Sequence, residues 1–170
     1  MSNTWFTADW HFFHDNILKY EKINRPFDNV KVMHNKIIDN YNMMVGKDDV
    51  CYVLGDIAMV KNSNLNRLDK VIQRLNGRKI LILGNHDEGK PFRYLKMGFE
   101  SVHTSLELDN WKLVHDPAWA VMEKNRTHIV GHVHSLFRIQ GNCINVGVDV
   151  RNLFPVSIDT LIEEEKDLVI

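Results

Sequence analysis

Apolar residues in the first half of the chain follow two spacings that alternate along the sequence. Short β-favouring runs occupy positions 3–8, 50–54 and 80–83, and each is followed at once by polar residues. Between these runs, apolar residues recur at helical spacing over about 29–45 and again over 63–77. The resulting order, βαβαβ, predicts a mainly parallel sheet with right-handed crossover connections.

The second half of the chain has a different pattern. A short helix is predicted over 91–97, and a last helix begins after Ser157, a plausible N-cap. The β-prone runs between these two helices are 99–103, 105–108, 111–115, 127–130 and 143–148. Closely spaced strands without intervening helices predict antiparallel pairing and a second sheet. We therefore predict one α/β domain over 1–170, with two packed sheets and helices outside.

Composition and charge narrow the class of protein. A chain of 170 residues with 44% hydrophobic and 25% charged residues is typical of one soluble, folded domain. A net charge of −1 provides no global field that attracts nucleic acid or anionic membrane. The N-terminal residues show no signal pattern, and no apolar run approaches the length of a membrane span. We interpret Cys51 and Cys143 as small buried hydrophobes rather than a disulfide, which favours the cytoplasm.

Residues that can bind metal follow the predicted strands. They are Asp9, His11, Asp56, Asn85, His86, His115, His132 and His134. In D-x-H and H-x-H pairs on extended chain, both side chains point to one face, so one site can use both. Taken singly, Asp9 could be a turn former and His115 a hydrogen-bonded core histidine. Taken together, imidazoles and carboxylates gathered at one sheet edge would be desolvated or repulsive without a cation, which favours a metal site.

The number of candidate ligands bears on the number of metals. Without His86, seven N or O ligands remain, which is too many for one tetrahedral zinc. The set fits two metals if one carboxylate bridges them. The sequence contains no P-loop, no G-x-S-x-G elbow and no C-x-x-C pair that would indicate another chemistry.

The order of these motifs resembles that of the calcineurin-like metallophosphoesterase superfamily. The motifs are D-x-H at Asp9 and His11, G-D at Asp56, G-N-H-D at 84–87, the lone His115, and G-H-x-H at 131–134. The segments 25–27 and 145–149 are similar to its small bacterial and phage branch. The resemblance implies a four-layer αββα sandwich of two mixed β-sheets flanked by helices.

The resemblance also implies a role for each ligand. One metal would be held by Asp9, His11, Asp56 and His134, and the other by Asp56, Asn85, His115 and His132. Two divalent ions are expected: Mn²⁺ is usual in the superfamily, and Fe, Zn²⁺, Ni²⁺ or Mg²⁺ also suit this mixed ligand set. A water held between the two cations would lose a proton and become the nucleophile. His86, which is not a ligand in this scheme, would donate a proton to the leaving group.

Further residues near these motifs could contact substrate or support the site. His14 could contact a substrate phosphate or support the metal site, or it could be an ordinary surface histidine. Arg25 is a candidate phosphate contact, as is Asn85 in addition to its metal role. Asp87 could orient His86, or it could cap the turn in which it lies.

The segment after Asp56 bears on the substrate. Phosphoprotein phosphatases of the superfamily carry an arginine in G-D-x-x-D-R-G, and residues 55–61 contain none. A dianionic monoester would lose that contact, so a phosphodiesterase acting on a small or nucleotide-like ester is favoured over a phosphomonoesterase. A non-catalytic scaffold of the same fold is the remaining alternative, and the presence of His86 argues against it. Arg67, Lys70 and Arg74 are expected to form a solvated helix face rather than an extended nucleic-acid surface.

Overall fold

The computed structural model describes residues 2–60, 65–87, 90–123 and 125–168. Its strands are β1 (Thr4–Thr7), β2 (Val50–Val53), β3 (Arg78–Ile82), β4 (Phe99–His103), β5 (Leu106–Leu108), β6 (Trp111–Leu113), β7 (Thr127–Val130), β8 (Ile139–Gln140), β9 (Cys143–Asn145) and β10 (Val156–Ser157). Its helices are α1 (Ile17–Tyr20), α2 (Val30–Met44), α3 (Leu65–Ile72), α4 (Pro91–Met97) and α5 (Ile158–Glu165). Two 3₁₀ helices span Pro117–Met122 and Val148–Val150.

The first sheet has the strand order β10-β1-β2-β3-β4. β1 to β4 run parallel, and β10 lies antiparallel to β1 at one edge. The parallel βαβαβ order predicted from the first half of the chain is therefore confirmed. Apolar residues of α2, α3 and α4 pack together with Cys51, Val53 and Leu81 in one core cluster, which places these helices on one face of the sheet.

The second sheet has the order β5-β6-β7-β9-β8, and its pairing differs from the prediction in two ways. β4 joins the first sheet, because α4 carries the chain back so that β4 can pair parallel to β3. β5 pairs with β6 and β8 with β9 in the predicted antiparallel way, but β6, β7 and β9 pair parallel to one another. The segments 114–126 and 131–142 are long enough to return the chain to the same end of the sheet, which parallel pairing requires.

The two sheets pack face to face around a shared apolar core. The first sheet contributes Phe6 and Ile82, and the second contributes Leu113, Ile129 and Ile144, all of them 0% exposed. The other face of the second sheet packs Val130 and Cys143 against Ala120 of a 3₁₀ helix. The layers therefore run helix, sheet, sheet, helix, which confirms the predicted αββα sandwich, with a short second helical layer.

The bounds of α2 agree with the helical spacing predicted over about 29–45, whereas α3 ends at Ile72, five residues before the predicted end at 77. Asn29 caps α2 through a hydrogen bond of 3.1 Å between its Oδ1 and the backbone N–H of Val32. α1, β8 and β10 were not predicted, because two to four residues are too few to show a period. The first two positions of the helical spacing predicted over 63–77 lie outside the described residues. None of the helices in the described ranges combines the length and apolar character needed to cross a bilayer.

Both cysteines are buried and free, as the sequence predicted. Cys51 lies in β2 with no exposed surface, and Cys143 lies in β9 with 6% of its surface exposed. Burial raises the pKa of the Cys51 thiol to about 12 and that of Cys143 to about 11, because the thiolate is poorly solvated there. Both side chains therefore act as small apolar groups of the core.

Candidate metal centre and active site

Loops that follow parallel strands of both sheets meet at one edge of the sandwich. The backbone N–H groups of Asp9 and His11 donate to the carbonyls of Gly55 and Asp56, each at 3.0 Å, which joins the loops after β1 and β2. A hydrogen bond of 3.1 Å from the N–H of Val148 to the carbonyl of Ala8 joins the first sheet to the loop after β9. Because parallel strands end at the same side of a sheet, this edge collects the polar residues that follow each strand.

Six of the seven predicted ligands form two groups of three. Asp9, His11 and His134 form the first group, and Asp56, His115 and His132 form the second. Within each group, one candidate ligand atom from each residue lies within 4.8 Å of the others. In the described part of the chain, these two are the groups of His, Cys, Asp or Glu side chains that could hold a metal ion.

Asp56 lies between the two groups. Its Oδ2 is 3.6 Å from Nε2 of His11, in the first group, and 3.4 Å from Nε2 of His115, in the second. Its Oδ1 accepts a hydrogen bond of 2.9 Å from the backbone N–H of His86, which fixes the orientation of the carboxylate. One carboxylate oxygen is thus placed where two neighbouring cations could both reach it.

Asn85 and His86 lie beside these groups in different ways. Oδ1 of Asn85 is 2.9 Å from Nδ1 of His132 and 3.1 Å from Nε2 of His115, so the amide oxygen faces the second group. Nε2 of His86 is 4.0 Å from Oδ2 of Asp56, and 39% of the His86 side chain is exposed. His86 therefore lies at the mouth of the site, where it can reach a bound molecule from the solvent side.

The donor atoms of the histidines fit divalent cations. Nδ1 of His115 lies 2.7 Å from the carbonyl of Leu54, and Nδ1 of His134 lies 2.8 Å from Oδ2 of Asp149. Such partners fix the ring tautomer and leave the other nitrogen free to bind metal. Nε2 of His11 is buried and has no hydrogen-bond partner among the described residues. A buried nitrogen without a partner is costly unless something binds it, and a cation in the first group would do so.

The pKa values of the site reflect crowding of carboxylates and imidazoles away from water. Burial raises the pKa of Asp9 to about 7 and lowers that of His11 to about 3. Burial also opposes ionisation of Asp56, but the close contact with His115 outweighs it and holds the pKa of Asp56 at about 2. The same contact outweighs burial of His115 and raises its pKa to about 9. A cation in the site would stabilise the carboxylates and favour neutral imidazoles.

The backbone of the candidate ligands is strained. Residues other than glycine rarely have positive φ, yet five of the seven do: Asp9 (59°), His11 (49°), Asp56 (51°), His132 (71°) and His134 (46°). Each such residue costs of order 1–3 kcal/mol and persists only where the surrounding structure holds it. The strain is therefore concentrated at the residues that would bind metal, as is typical of functional sites.

Gly84 is packed against the carboxylate that lies between the two groups. An ideal Cβ at position 84 would be 2.5 Å from the backbone N of Asp56 and closer still to its Oδ1. We expect Gly84→Ala to displace Asp56 while the fold is kept, and to lower metal affinity about 10–100-fold. Metal analysis after dialysis, together with circular dichroism, measures both effects.

Gly46→Ala is the matched control for this substitution. Its added Cβ would make an ordinary contact of 3.4 Å with Oδ2 of Asp49, at the opposite end of β2. This variant should retain wild-type metal content. Equal metal content in the two variants would contradict the tight packing of Gly84 against Asp56.

Asp87 supports the loops rather than His86. Its carboxylate accepts hydrogen bonds from the backbone N–H groups of Asp56 (2.8 Å), Gly84 (2.8 Å) and Ile57 (3.0 Å). Both oxygens are used in these bonds, which join the loop after β2 to the loop after β3. Of the two interpretations of Asp87, these contacts support the turn, and the expectation that Asp87 orients the His86 ring stays a prediction.

Arg25 is not a substrate contact, because its side chain is completely buried. Its Nε and Nη2 donate to the two carboxylate oxygens of Asp149, at 2.6 and 2.8 Å. Nη2 also donates to the carbonyl of Asp9 at 2.6 Å, and Nη1 donates to that of Trp10 at 3.0 Å. The prediction failed because a sequence does not show that this arginine has a buried carboxylate as its partner.

Asp149 is a residue of the site that the sequence patterns did not reveal. Asp149 is a lone charged residue within the apolar run 146–150, and a charge in such a run requires a buried partner, which was the available signal.

Nδ1 of His14 lies 3.2 Å from Nδ1 of His11, and its ring centre lies 6.4 Å from that of His86. His14 is half-buried beside the first group, and its contact with substrate stays a prediction.

Comparisons with known proteins agree with this architecture. No protein-family model matches the chain. The protein of unknown function AQ665 from Aquifex aeolicus is 26% identical, with a TM-score of 0.73 over 96% of this chain and 100% of that one. The nuclease MPE of Pseudomonas putida is 17% identical, with a TM-score of 0.52 over 77% of this chain and 61% of that one, and it shares the fold.

The uncharacterized protein MJ1445 of Methanocaldococcus jannaschii is similar along nearly the whole chain. The two are 32% identical over 174 residues. The alignment covers 96% of this chain and 91% of MJ1445. The chain belongs to the same protein family as MJ1445.

Proposed function

We propose that the chain is a metal-dependent phosphoesterase, and that it acts as a phosphodiesterase on small or nucleotide-like phosphate esters. The observation that carries the proposal is the position of Asp56 Oδ2, within 3.6 Å of a histidine from each of two metal-binding groups. The order of motifs along the chain, which resembles that of the calcineurin-like metallophosphoesterases, supports the same chemistry. The chain would belong to that superfamily.

Two divalent cations would be held by the two groups, with Asp56 shared and Asn85 added to the second group. When bound, they would supply activation of a water molecule and compensation of the negative charge on the phosphate group. Oxygen and imidazole donors in one site suit Mn²⁺, and also Fe, Zn²⁺, Ni²⁺ or Mg²⁺. The loops that carry the donors are fixed by Asp87 and Arg25, so the donors would need little rearrangement to bind.

His86 would act on the leaving group. It lies outside both groups of ligands, its side chain is 39% exposed, and its ring centre is 5.5 Å from that of His11. An imidazole in this position can donate a proton to a departing alkoxide. The exposed Asn85 amide and the half-buried His14 ring lie beside it and would hydrogen-bond the phosphate oxygens.

The charge of the site favours diesters over monoesters. Residues 55–60, which follow β2, contain no arginine or lysine, and Arg25 is buried in its pair with Asp149. A diester has one negative charge at the reacting phosphorus, whereas a monoester dianion needs a further cationic contact. A site lined mainly by histidines and an amide is suited to the lower charge. A phosphomonoesterase is the alternative.

A substrate panel tests the proposal. We expect Mn²⁺-dependent hydrolysis of bis-p-nitrophenyl phosphate, abolished by chelation, with kcat/KM above that for p-nitrophenyl phosphate. Cyclic nucleotides and dinucleotides would then locate the preferred leaving group. A higher kcat/KM for monoesters would support the phosphatase alternative. No turnover with Mn²⁺, Ni²⁺ or Zn²⁺ would contradict the enzyme proposal and favour a scaffold.

A further inference from the structure

We infer that Arg25 and Asp149 form a buried support dedicated to one of the two metal positions, that of Asp9, His11 and His134. The inference rests on the proposed function, since it concerns the cations that this function requires. Arg25 and Asp149 would act as positioning residues, because neither contacts the solvent side of the site. Their loss should weaken one cation and spare the other.

Arg25 holds the segment that carries two members of the first group. Its guanidinium donates to the carbonyl of Asp9 at 2.6 Å and to the carbonyl of Trp10, which precedes His11, at 3.0 Å. Asp9 and His11 both have left-handed φ angles, which L-residues adopt only under constraint. Two hydrogen bonds from a charged, fully buried donor to this short segment provide such a constraint.

Asp149 connects the same arginine to the third member. One carboxylate oxygen accepts from Arg25 Nε at 2.6 Å, and the other lies 2.8 Å from both Arg25 Nη2 and Nδ1 of His134. The side chains of Arg25 and Asp149 have no exposed surface. A carboxylate on one ring nitrogen fixes the orientation of the imidazole and makes its other nitrogen a better ligand. All three residues of the first group are therefore held through one buried ion pair.

Two of the three members of the second group have separate supports, whereas the backbone N–H of His132 donates to the carboxylate of Asp9. Nδ1 of His115 is held by the backbone carbonyl of Leu54, at 2.7 Å. Asp56 is held by the backbone N–H of His86, and the loop around it by the carboxylate of Asp87. Arg25 donates hydrogen bonds to the carbonyls of Asp9 and Trp10, to the carboxylate of Asp149 and, at 3.6 Å, to Sδ of Met33. None of these acceptors belongs to the second group. The two positions should therefore differ in their response to loss of the pair.

The test is a titration of the metal-free Asp149→Asn protein with Mn²⁺, in which binding is measured by calorimetry and by electron paramagnetic resonance. Asn keeps the shape of the side chain but loses the charge that pairs with Arg25. We expect one ion to bind as in the wild type and the other about 10–100-fold more weakly. At intermediate Mn²⁺, the spectrum should show isolated ions, whereas the wild type should show a coupled pair.

Two further variants keep the result interpretable. Removing one partner of a buried ion pair can unfold a protein, whereas replacing both partners is better tolerated. If Asp149→Asn is unfolded, the double variant Arg25→Met/Asp149→Asn is titrated in its place. Asp49→Asn is the matched control, because Asp49 is a buried carboxylate that accepts from Asn3, Trp5 and Gly46 at the far end of β2. This control should lose stability and still bind two ions as the wild type does.

The outcomes separate the inference from the proposed function. If folded variants bind both ions with wild-type affinity, or lose both equally, the inference is wrong while the proposed function stands. If the wild-type protein itself binds no Mn²⁺ and hydrolyses no ester, the proposed function fails. Selective loss of one ion supports both the inference and the proposed function.

Discussion

Asp56→Asn is expected to release both cations and to lower kcat/KM by about 10³-fold or more. Oδ2 of Asp56 lies 3.6 Å from Nε2 of His11 and 3.4 Å from Nε2 of His115, so its charge would serve both proposed metal positions. An amide keeps one oxygen but loses the negative charge that partly compensates each cation. A loss of about 4 kcal/mol of charge stabilisation in the transition state corresponds to a 10³-fold lower rate. Metal analysis and ester hydrolysis of the purified variant measure the two effects.

Asp48→Asn is the matched control for this substitution. Asp48 is an exposed carboxylate just before β2, whereas Asp56 lies just after the same strand. The control should leave metal content and kcat/KM unchanged. Two tightly held ions in Asp56→Asn would show that this carboxylate is not shared.

His86→Ala is expected to keep both cations and to lose rate in a way that depends on the leaving group. His86 belongs to neither metal-binding group, and its ring lies at the open side of the site. For a poor leaving group such as a ribose alkoxide, loss of a positioned acid costs about 10²–10⁴-fold. For p-nitrophenolate, which departs without a proton, we expect a much smaller loss. The comparison of kcat/KM for the two esters isolates the proton transfer.

His115→Ala provides the contrast to His86→Ala. Nε2 of His115 lies 3.4 Å from Oδ2 of Asp56, inside the second group. Its loss should lower metal occupancy and slow both esters alike. If His86→Ala keeps its metal and slows both esters equally, a general-acid role for His86 is refuted.

The positions of the candidate metal-binding residues were predictable because they follow from local features of the chain. Each follows an apolar run that forms a strand, and parallel strands bring their carboxyl ends to one edge whatever the details of packing. Asp9, Asp56 and Asn85 follow β1, β2 and β3 in this way. Asp9 and His11 of the D-x-H pair lie in one group, as the spacing predicted, whereas His132 and His134 of the H-x-H pair lie in different groups. All four residues have left-handed φ angles instead of the extended backbone on which that prediction rested.

The supports of the site were less predictable because they depend on partners distant in the sequence. Arg25 and Asp149 are 124 residues apart, and nothing in either local segment shows that they pair. Arg25 was therefore interpreted as a phosphate contact, which is the ordinary role of an arginine near such a site. The parallel pairing of β6, β7 and β9 was also missed, since one of their connections contains only a 3₁₀ helix and the other contains the short strand β8, so neither has the α-helix that usually marks a parallel crossover.

Both sheets contribute to each group of candidate ligands, and this has a consequence for the order of folding and binding. In the first group, Asp9 follows β1 of one sheet, and His134 follows β7 of the other. No cation can meet its full set of donors until the two sheets have docked, so metal cannot nucleate this fold as it does in a zinc finger. Metal would instead act after folding, by mass action on a sandwich held together by its own apolar core. Chelation should therefore leave a folded apoprotein whose two sheets separate at a lower temperature.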